Sequence, residues 1–195
     1  MKTIKQLIRD FLEVYPSSTN KQIKTFVEDA RNREYKHNLS GSLIKSVRDE
    51  VLPYVFVYGS LLRGLGNYRL LQEIEAKFIC EDKIRGKLFT AHWSWPFAKL
   101  TNDDNFIKGE VFRIYPDTIR HLDGLEGYRP DYPEANCLFL RRKIKTESGK
   151  TVFVYEAGQS LLNSVNIFEI KDGDWKKAYN AYNTCNWQSQ FINME

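Results

Sequence analysis

The sequence has few of the residues from which disulfide frameworks and metal centres are built. Its 195 residues include three cysteines and three histidines. The cysteines lie far apart and form no Cys-x-x-Cys pair, and the histidines form no His-x-x-x-His pattern. Neither a disulfide framework nor a structural zinc site is therefore expected, and no metal is assigned. The cysteines are Cys80, Cys137 and Cys185.

Long apolar segments are also missing from the sequence. It has no run of about 18 apolar residues, the length that a membrane-spanning helix needs. The first residues, MKTIKQLIRDFLEVYP, are charged throughout and lack the apolar centre of a signal peptide. Apolar residues make up 42% of the chain and charged residues 28%, which is typical of a globular protein. A cytoplasmic protein without a membrane span is the default expectation.

The first 52 residues have the periodicity of helices. In the first segment, apolar residues recur three and four positions apart, which predicts a helix with one apolar face. Thr19 and Gln22 form a Thr-x-x-Gln capping box before a second apolar stripe. Ser40 or Ser42 can cap a third helix. We therefore expect a short three-helix unit over residues 1–52.

Two interpretations of this helical unit stay open. In one, it resembles a helix-turn-helix unit whose third helix presents Lys45 and Arg48 to DNA. In the other, it is a packing or dimerisation module with a solvated outer surface. The first 50 residues hold 10 lysines and arginines against 7 acidic residues, and the whole chain has a net charge of +4. Because this excess of three positive charges is small for a nucleic-acid-binding surface, no nucleic-acid partner is expected. The N-terminal helices are the part of the chain through which such a partner would bind.

The pattern changes to strand periodicity after Pro53. Short segments rich in β-branched and aromatic residues alternate with turns, and residues 147–149 have the composition of a hairpin turn. A short helix that ends at Gly124 is expected between the strands at 106–115 and 137–145. Residues 53–195 are therefore interpreted as one α+β domain. The expected strands cover residues 54–58, 84–90, 106–115, 137–145 and 151–155.

The stretch VFVYGSLLRG, at residues 55–64, joins the first expected strand to a turn. Gly59 and Gly64 have the spacing that begins a phosphate-binding loop, but the lysine and the Ser or Thr that complete it are absent. The stretch matches neither a dinucleotide fingerprint nor a Gly-x-Ser-x-Gly elbow. Gly59 allows close backbone approach and a positive φ. Either the turn is a tight strand exit that uses glycine for its geometry alone, or the amides that follow Gly59 bind an anion such as a carboxylate. Those amides belong to Ser60, Leu61 and Leu62.

A second dense stretch, HLDGLEGYRPDYP at residues 121–133, contains a candidate general base. Glu126 stands between a leucine and a Gly-Tyr pair. An apolar and an aromatic neighbour can partly desolvate a carboxylate, and a desolvated carboxylate holds its proton more tightly. An exposed glutamate in a loop is the alternative interpretation.

Taken together, these stretches resemble the gamma-glutamylcyclotransferase family, including its AIG2-like members. The matching pieces occur in the family's order and cover about residues 54–182. Two positions depart from the pattern: Trp95 stands where the family usually has Tyr, and residues 139–141, Phe-Leu-Arg, stand where it often has Tyr-x-Arg. The pieces are VYGSL at 57–61 with Arg63, Gly64 and Asn67 behind it, GKLF at 86–89, Trp95-Pro96, KGEVFRI at 108–114, LDGLEGY at 122–128 and DGDW at 172–175.

The resemblance implies a small mixed β-barrel with packed helices. It also implies an enzyme that cyclises a γ-glutamyl group to 5-oxoproline and releases an amine, without a cofactor. Glu126 is then the acid/base, and Asp123 and Asp131 are nearby carboxylates that match the motif less well. The residues that would cradle the glutamyl moiety are Tyr58, Gly59, Ser60 and Leu61.

A non-catalytic protein of the same fold is the second hypothesis. In that protein the pocket senses a small carboxylate ligand, and the N-terminal helices contact DNA or a protein partner. The presence of Glu126 favours the enzyme, because a sensor needs no base at that position. The altered pocket positions and the additional helices favour the sensor.

Overall fold

The computed structural model divides into two compact units, Met1–Pro53 and Tyr54–Glu195. Within these ranges, no described helix is both long enough and apolar enough to cross a membrane. The structure describes residues 3–15, 18–30, 40–51, 53–91, 93, 95–115, 118–163 and 167–192.

Three amphipathic helices form the described part of the first unit. They are α1 (Ile4–Val14), α2 (Asn20–Ala30) and α3 (Gly41–Val51). Their buried side chains recur at the spacing of one helix face, so each helix contributes one stripe to a shared apolar core. That core consists of Ile8, Leu12, Ile23, Val27, Ile44 and Val47.

The helix starts in this unit follow the capping signals of the sequence. The Thr19 amide donates to Gln22 Oε1 at 2.8 Å, and the Gln22 amide donates to Thr19 Oγ1 at 3.3 Å. The expected capping box is therefore confirmed. The Leu43 amide donates to Ser40 Oγ at 3.1 Å, so that Ser40, rather than Ser42, caps α3.

Arg48 joins helices within the first unit. Its Nη2 donates to the carbonyl oxygen of Ser18 at 2.7 Å and to Asn20 Oδ1 at 3.4 Å. The expectation that Arg48 points outward toward DNA is therefore wrong, because its guanidinium links α3 to the start of α2. The side chain of Lys45, the other residue of that expectation, lies outside the described part of the chain.

A mixed five-stranded sheet forms the centre of the second unit. Its strand order is β2-β5-β1-β7-β6. Strand β1 is central: it runs antiparallel to β5, with Val57 opposite Glu110, and parallel to β7, with Val55 opposite Phe153. The strands are β1 (Tyr54–Val57), β2 (Lys77–Arg85), β5 (Phe106–Arg113), β6 (Phe139–Lys145) and β7 (Thr151–Ala157).

A second sheet of three strands has the order β4-β3-β8. In the described residues, β2 and β6 are the edge strands of the larger sheet and do not pair with each other. The described sheet is therefore open and the expected barrel is not confirmed, while the α+β class stands. The strands of the second sheet are β3 (Lys87–Thr90), β4 (Pro96–Lys99) and β8 (Phe168–Glu169).

The boundaries of the expected strands differ from the structure in one informative place. The expected strand at 84–90 is divided at Gly86, since β2 ends at Arg85 in one sheet and β3 begins at Lys87 in the other. Most of β2 lies before residue 84 and has no counterpart in the expected strands. Its residues are mostly exposed or half-buried, with Ile84 fully buried, so the apolar pattern that marks a strand is weak there.

Four α-helices and a 3-10 helix at Glu134–Asn136 complete the described second unit. The α-helices are α4 (Tyr68–Glu73), α5 (Ile119–Glu126), α6 (Gln159–Leu162) and α7 (Trp175–Ile192). The largest fully buried side chains, those of Trp175, Phe56, Phe97 and Phe112, come from both sheets and from α7. This core fixes β1 at its centre, and the chain leaving β1 begins the candidate site.

Candidate active site

One cavity of about 320 Å³ brings the two dense stretches of the sequence together. The turn after β1 forms one wall, and the last residues of α5 form another. All five predicted site residues contribute to its lining. The described lining residues are Phe56, Val57, Tyr58, Gly59, Ser60, Leu61, Asn67, Trp95, Pro96, Leu125, Glu126, Leu138, Phe139 and Tyr155.

The turn after β1 offers two backbone donors. The Leu62 amide donates to the Gly59 carbonyl at 3.0 Å and thereby closes the turn. The expectation that the Leu62 amide is a ligand donor is therefore wrong. The amides of Ser60 and Leu61 have no acceptor within the described residues. Two adjacent free N–H groups suit a carboxylate or an oxyanion.

Polar contacts hold the turn in place. Asn67 donates twice to Ser60, from its amide to the Ser60 carbonyl and from Nδ2 to Oγ, both at 2.9 Å. The Arg63 amide and Nε each donate to the carboxylate of Glu110 at 3.0 Å. Glu110 is 5% exposed, whereas the Arg63 side chain is 39% exposed, so this charge-assisted pair has a buried carboxylate and a partly exposed guanidinium. The turn is therefore anchored to β5 as well as to β1.

Gly59 is required by close packing rather than by its backbone angles. It is not among the glycines with positive φ, so the expected positive φ is wrong, while the expected close backbone approach is confirmed. A Cβ atom at this position would lie 3.0 Å from Cγ and 3.1 Å from Cδ of Pro96. Only glycine lets the turn approach β4 this closely without a shift of the proline.

Tyr58 connects the turn to both sheets. Its hydroxyl donates to the Tyr155 carbonyl at 2.6 Å and accepts from the Ala98 amide at 3.2 Å. Burial, and to a smaller extent the nearby charge of Glu126, raises the pKa of Tyr58 well above its usual value. The hydroxyl is therefore neutral and committed to structural hydrogen bonds, although its side chain lines the cavity.

Glu126 is the last residue of α5, which extends further than expected. The helix does not end at Gly124. It continues to Glu126 and is capped by Gly127, whose φ of 64° is the left-handed conformation of a C-cap. The Tyr128 amide donates to the Asp123 carbonyl at 2.9 Å and completes this cap. Glu126 therefore projects from an ordered helix end, and its interpretation as an exposed loop residue is wrong.

The carboxylate of Glu126 has unusual electrostatics. It is half-buried and receives no hydrogen bond from the described residues. Burial raises its pKa from 4.5 to about 7, because the charged form loses hydration without gaining a partner. At neutral pH this group can both accept and donate a proton, which is the property of a general acid/base.

Both carboxylate oxygens of Asp123, which lies one helical turn earlier, accept hydrogen bonds. Arg141 Nη1 donates to its two oxygens at 2.9 and 2.7 Å, and the Tyr155 hydroxyl donates to Oδ1 at 2.7 Å. This triad links α5 to β6 and β7. Asp131, the other rival carboxylate, is exposed and does not line the cavity.

Some lining residues were not predicted as site residues. Tyr155 comes from the end of β7, where its sequence signal is only that of an aromatic strand residue. Leu125 and Leu138 are exposed leucines beside the cavity, and single exposed leucines carry no signal in a sequence. Trp95 and Phe139 mark the two departures from the family pattern, and both line the cavity.

Comparison with known proteins places this arrangement in a family. The model of the family described as "Gamma-glutamyl cyclotransferase, AIG2-like" matches residues 55–177. That range contains every residue of the candidate site and lies wholly within the second unit.

Two curated relatives agree with this match. A provisionally named gamma-glutamylcyclotransferase of Methanocaldococcus jannaschii is 32% identical over 103 residues, covering 52% of this chain and 79% of the relative. The gamma-L-glutamyl-butirosin B gamma-glutamyl cyclotransferase of Niallia circulans is 28% identical over 131 residues, covering 65% of this chain and 77% of the relative.

Solved structures show the same fold. The crystal structure of a uropathogenic E. coli-specific protein aligns with a TM-score of 0.54 at 20% sequence identity, covering 66% of this chain and 96% of the other. From the family match, the relatives and the fold, we conclude that this chain belongs to the gamma-glutamyl cyclotransferase, AIG2-like family and is a gamma-glutamylcyclotransferase-like enzyme.

Proposed function

We propose that the protein cyclises the γ-glutamyl group of a γ-glutamyl amine or γ-glutamyl amino acid to 5-oxoproline and releases the amine. The observation that carries this proposal is the cavity in which Glu126, with a pKa raised to about 7 by burial, faces the turn of residues 58–61. One side supplies a proton acceptor, and the other supplies free amide donors.

Substrate binding uses the turn in this proposal. The amides of Ser60 and Leu61 bind the α-carboxylate of the glutamyl group or the developing oxyanion. Gly59 lets this surface lie against Pro96, and Tyr58 holds it through its two hydrogen bonds. Binding folds the substrate so that its amine approaches its own γ-carbonyl, and orientation of this kind is worth an effective molarity of roughly 10⁵–10⁸ M.

Glu126 acts twice in the proposed reaction. Its carboxylate first takes a proton from the substrate α-amine, whose nitrogen forms a bond with the γ-carbonyl carbon. The resulting tetrahedral intermediate then breaks the bond between that carbon and the leaving nitrogen, which receives the proton from Glu126. The glutamate returns to its ionised form, and general acid–base help of this kind contributes about 10²–10⁴-fold.

A direct test is a mass-spectrometric screen. The full-length protein is incubated with a library of γ-glutamyl amines and γ-glutamyl amino acids, and released 5-oxoproline is measured. We expect catalytic release from at least one compound, and release that is at least about 10²-fold slower from the Glu126→Gln variant. Release at the same rate by wild type and variant, or none from any compound, would contradict the proposal.

A further inference from the structure

The part of the cavity beyond the reacting groups has a distinct chemical character. Apart from Glu126, no lining residue in the described part of the chain is an acid, lysine, arginine or histidine. The polar side chains of Ser60 and Asn67 belong to the turn segment that we assign to the glutamyl moiety. The hydroxyls of Tyr58 and Tyr155 already donate to the Tyr155 carbonyl and to Asp123. The remaining surface is apolar and is formed by Trp95, Pro96, Leu125, Leu138 and Phe139.

Two leucines place this apolar surface at the solvent side of the cavity. Leu125 and Leu138 are each 43% exposed, whereas Phe56, Val57, Tyr58 and Leu61 of β1 and the turn are buried. A Cβ atom on Gly127 would lie 3.7 Å from the Leu138 Cβ atom, so Leu138 packs beside the end of α5. The two leucines therefore flank Glu126 at the entrance.

Aromatic rings form the adjoining wall. The rings of Trp95 and Phe139 meet edge to face, with centroids 6.0 Å apart. The Trp95 backbone is fixed because its carbonyl accepts from the buried Thr90 hydroxyl at 3.1 Å. The wall can therefore offer a preformed apolar contact to a bound group.

We propose that this surface, formed by Trp95, Phe139, Leu125 and Leu138, is the leaving-amine subsite and selects amines with an uncharged, apolar body. The inference rests on the proposed function, because it assigns the glutamyl group to the turn and the reacting nitrogen to Glu126. The amine must then extend toward the exposed leucines. A leaving group with a second ammonium or a carboxylate loses hydration there. The described lining offers it no ionic partner other than Glu126, which the proposed reaction commits to the reacting nitrogens.

A matched pair of substrates tests this subsite on the wild-type, full-length protein. γ-Glutamyl-pentylamide and γ-glutamyl-(4-aminobutyl)amide have the same length and differ in a terminal methyl against a terminal ammonium. We expect kcat/KM for release of 5-oxoproline to favour the pentylamide by at least about 10-fold, the lower end of what one apolar group contributes in a pocket. Equal values, or a preference for the charged amine, would overturn the inference.

Binding separates this inference from the catalytic proposal. The dissociation constants of both compounds are measured by calorimetry with wild-type protein and with Glu126→Gln. If neither compound is turned over but the pentylamide binds at least about 10-fold more tightly, the catalytic proposal fails and the apolar subsite stands. If neither binds, or both bind equally, the subsite is refuted.

A charged variant gives a second, independent readout. Leu138→Glu should shift the ratio of kcat/KM values toward the 4-aminobutyl compound by at least about 10-fold, because it supplies the missing ionic partner. Tyr132→Glu is the matched control, since Tyr132 is 51% exposed and does not line the cavity. An unchanged ratio in Leu138→Glu, or an equal shift in both variants, would contradict the assignment.

Discussion

The two carboxylates of α5, Asp123 and Glu126, lie one turn apart and have opposite surroundings. Asp123 accepts hydrogen bonds from Arg141 and Tyr155, so its charge is compensated. Glu126 faces the cavity and accepts no hydrogen bond from the part of the chain that the structure describes, and burial raises its pKa to about 7. Asp123 and Glu126 are both acids on the same helix, so the difference between them comes from their hydrogen-bond partners and their burial. These suit Glu126 to proton transfer and Asp123 to holding α5 against β6 and β7.

The first prediction removes the unpaired acid. Glu126→Gln should lower kcat by about 10²–10⁴-fold or more while substrate affinity changes little, because the variant keeps the shape and loses the basicity. Steady-state kinetics with a compound found in the screen measure the first quantity, and calorimetry measures the second. Glu73→Gln, at a 54% exposed carboxylate on α4, is the control and should leave both unchanged. Wild-type turnover by Glu126→Gln would assign the proton transfer elsewhere.

The second prediction removes the paired acid. Asp123→Asn leaves Arg141, whose side chain is 20% exposed, without its anion, and should lower the free energy of unfolding by about 2–4 kcal/mol. All four tryptophans lie after Pro53, so urea unfolding followed by their fluorescence reports on the second unit. Asp131→Asn, at an exposed carboxylate, is the control.

The kinetic effect of Asp123→Asn separates positioning from proton transfer. We expect kcat to fall by about 10-fold, less than in Glu126→Gln, with the midpoint of the pH–rate profile kept near 7. A midpoint displaced by more than one pH unit would show that Asp123 takes part in the titration that controls catalysis.

The third prediction changes the cavity wall and keeps both carboxylates. Gly59→Val places a Cβ atom about 3 Å from the Pro96 ring, and its methyl groups enter the cavity. Substrate affinity should fall by at least about 10-fold, and the melting temperature should fall as well. Gly59→Ala, which lacks those methyl groups, should show a smaller loss of both. Native melting and native affinity in Gly59→Val would mean that the turn does not touch the substrate.

The fourth prediction uses the raised pKa of Glu126 as a stability measurement. The folded state holds this proton more tightly than the unfolded state, so the contribution of Glu126 to stability falls as pH rises from about 4.5 to about 7 and is constant outside that window. Glu126→Gln removes this loss. Relative to wild type, the variant should gain about 1–3 kcal/mol between pH 4 and pH 8. Urea unfolding at both pH values checks the difference, and a pH-independent difference would contradict the buried, unpaired state.

The fifth prediction concerns residues 1–52, which contain neither carboxylate and, among the residues that the structure describes, none that lines the cavity. We propose that these residues form a separate domain and that a chain starting near Leu52 folds and cyclises substrate. Its kcat/KM should stay within about threefold of the full-length value, the smallest effect in the series. A much larger fall, or loss of folded protein, would refute the separation.

Local signals predicted much of the fold. The Thr19–Gln22 capping box depends on neighbours within one turn and was predicted correctly. Hairpin β6–β7 was recognised from its turn residues. The open order of the sheet was missed because strand pairing joins distant segments, such as Val57 and Glu110. The polar helix α7 was missed because its sequence has no continuous apolar stripe.

The candidate site shows the same division between local and long-range signals. Glu126 and the turn of residues 58–61 were found from short motifs, and the structure brings them to one cavity. The sequence does not show why Asp123 differs from Glu126, because the hydrogen-bond partners of Asp123 are distant in the chain. Arg141 and Tyr155 lie 18 and 32 residues away from it. Such pairings are set by the packing of β6 and β7 against α5.

The most direct test of the difference between the two carboxylates is a titration of Glu126 itself. The protein is labelled with ¹³C at glutamate side-chain carboxyls, the Glu126 signal is identified by its absence from Glu126→Gln, and its shift is followed with pH. We predict a midpoint near 7, matching the pH at which kcat/KM rises to half its maximum as the base ionises. A midpoint near 4.5, together with a rate that does not follow the ionisation of Glu126, would contradict the account.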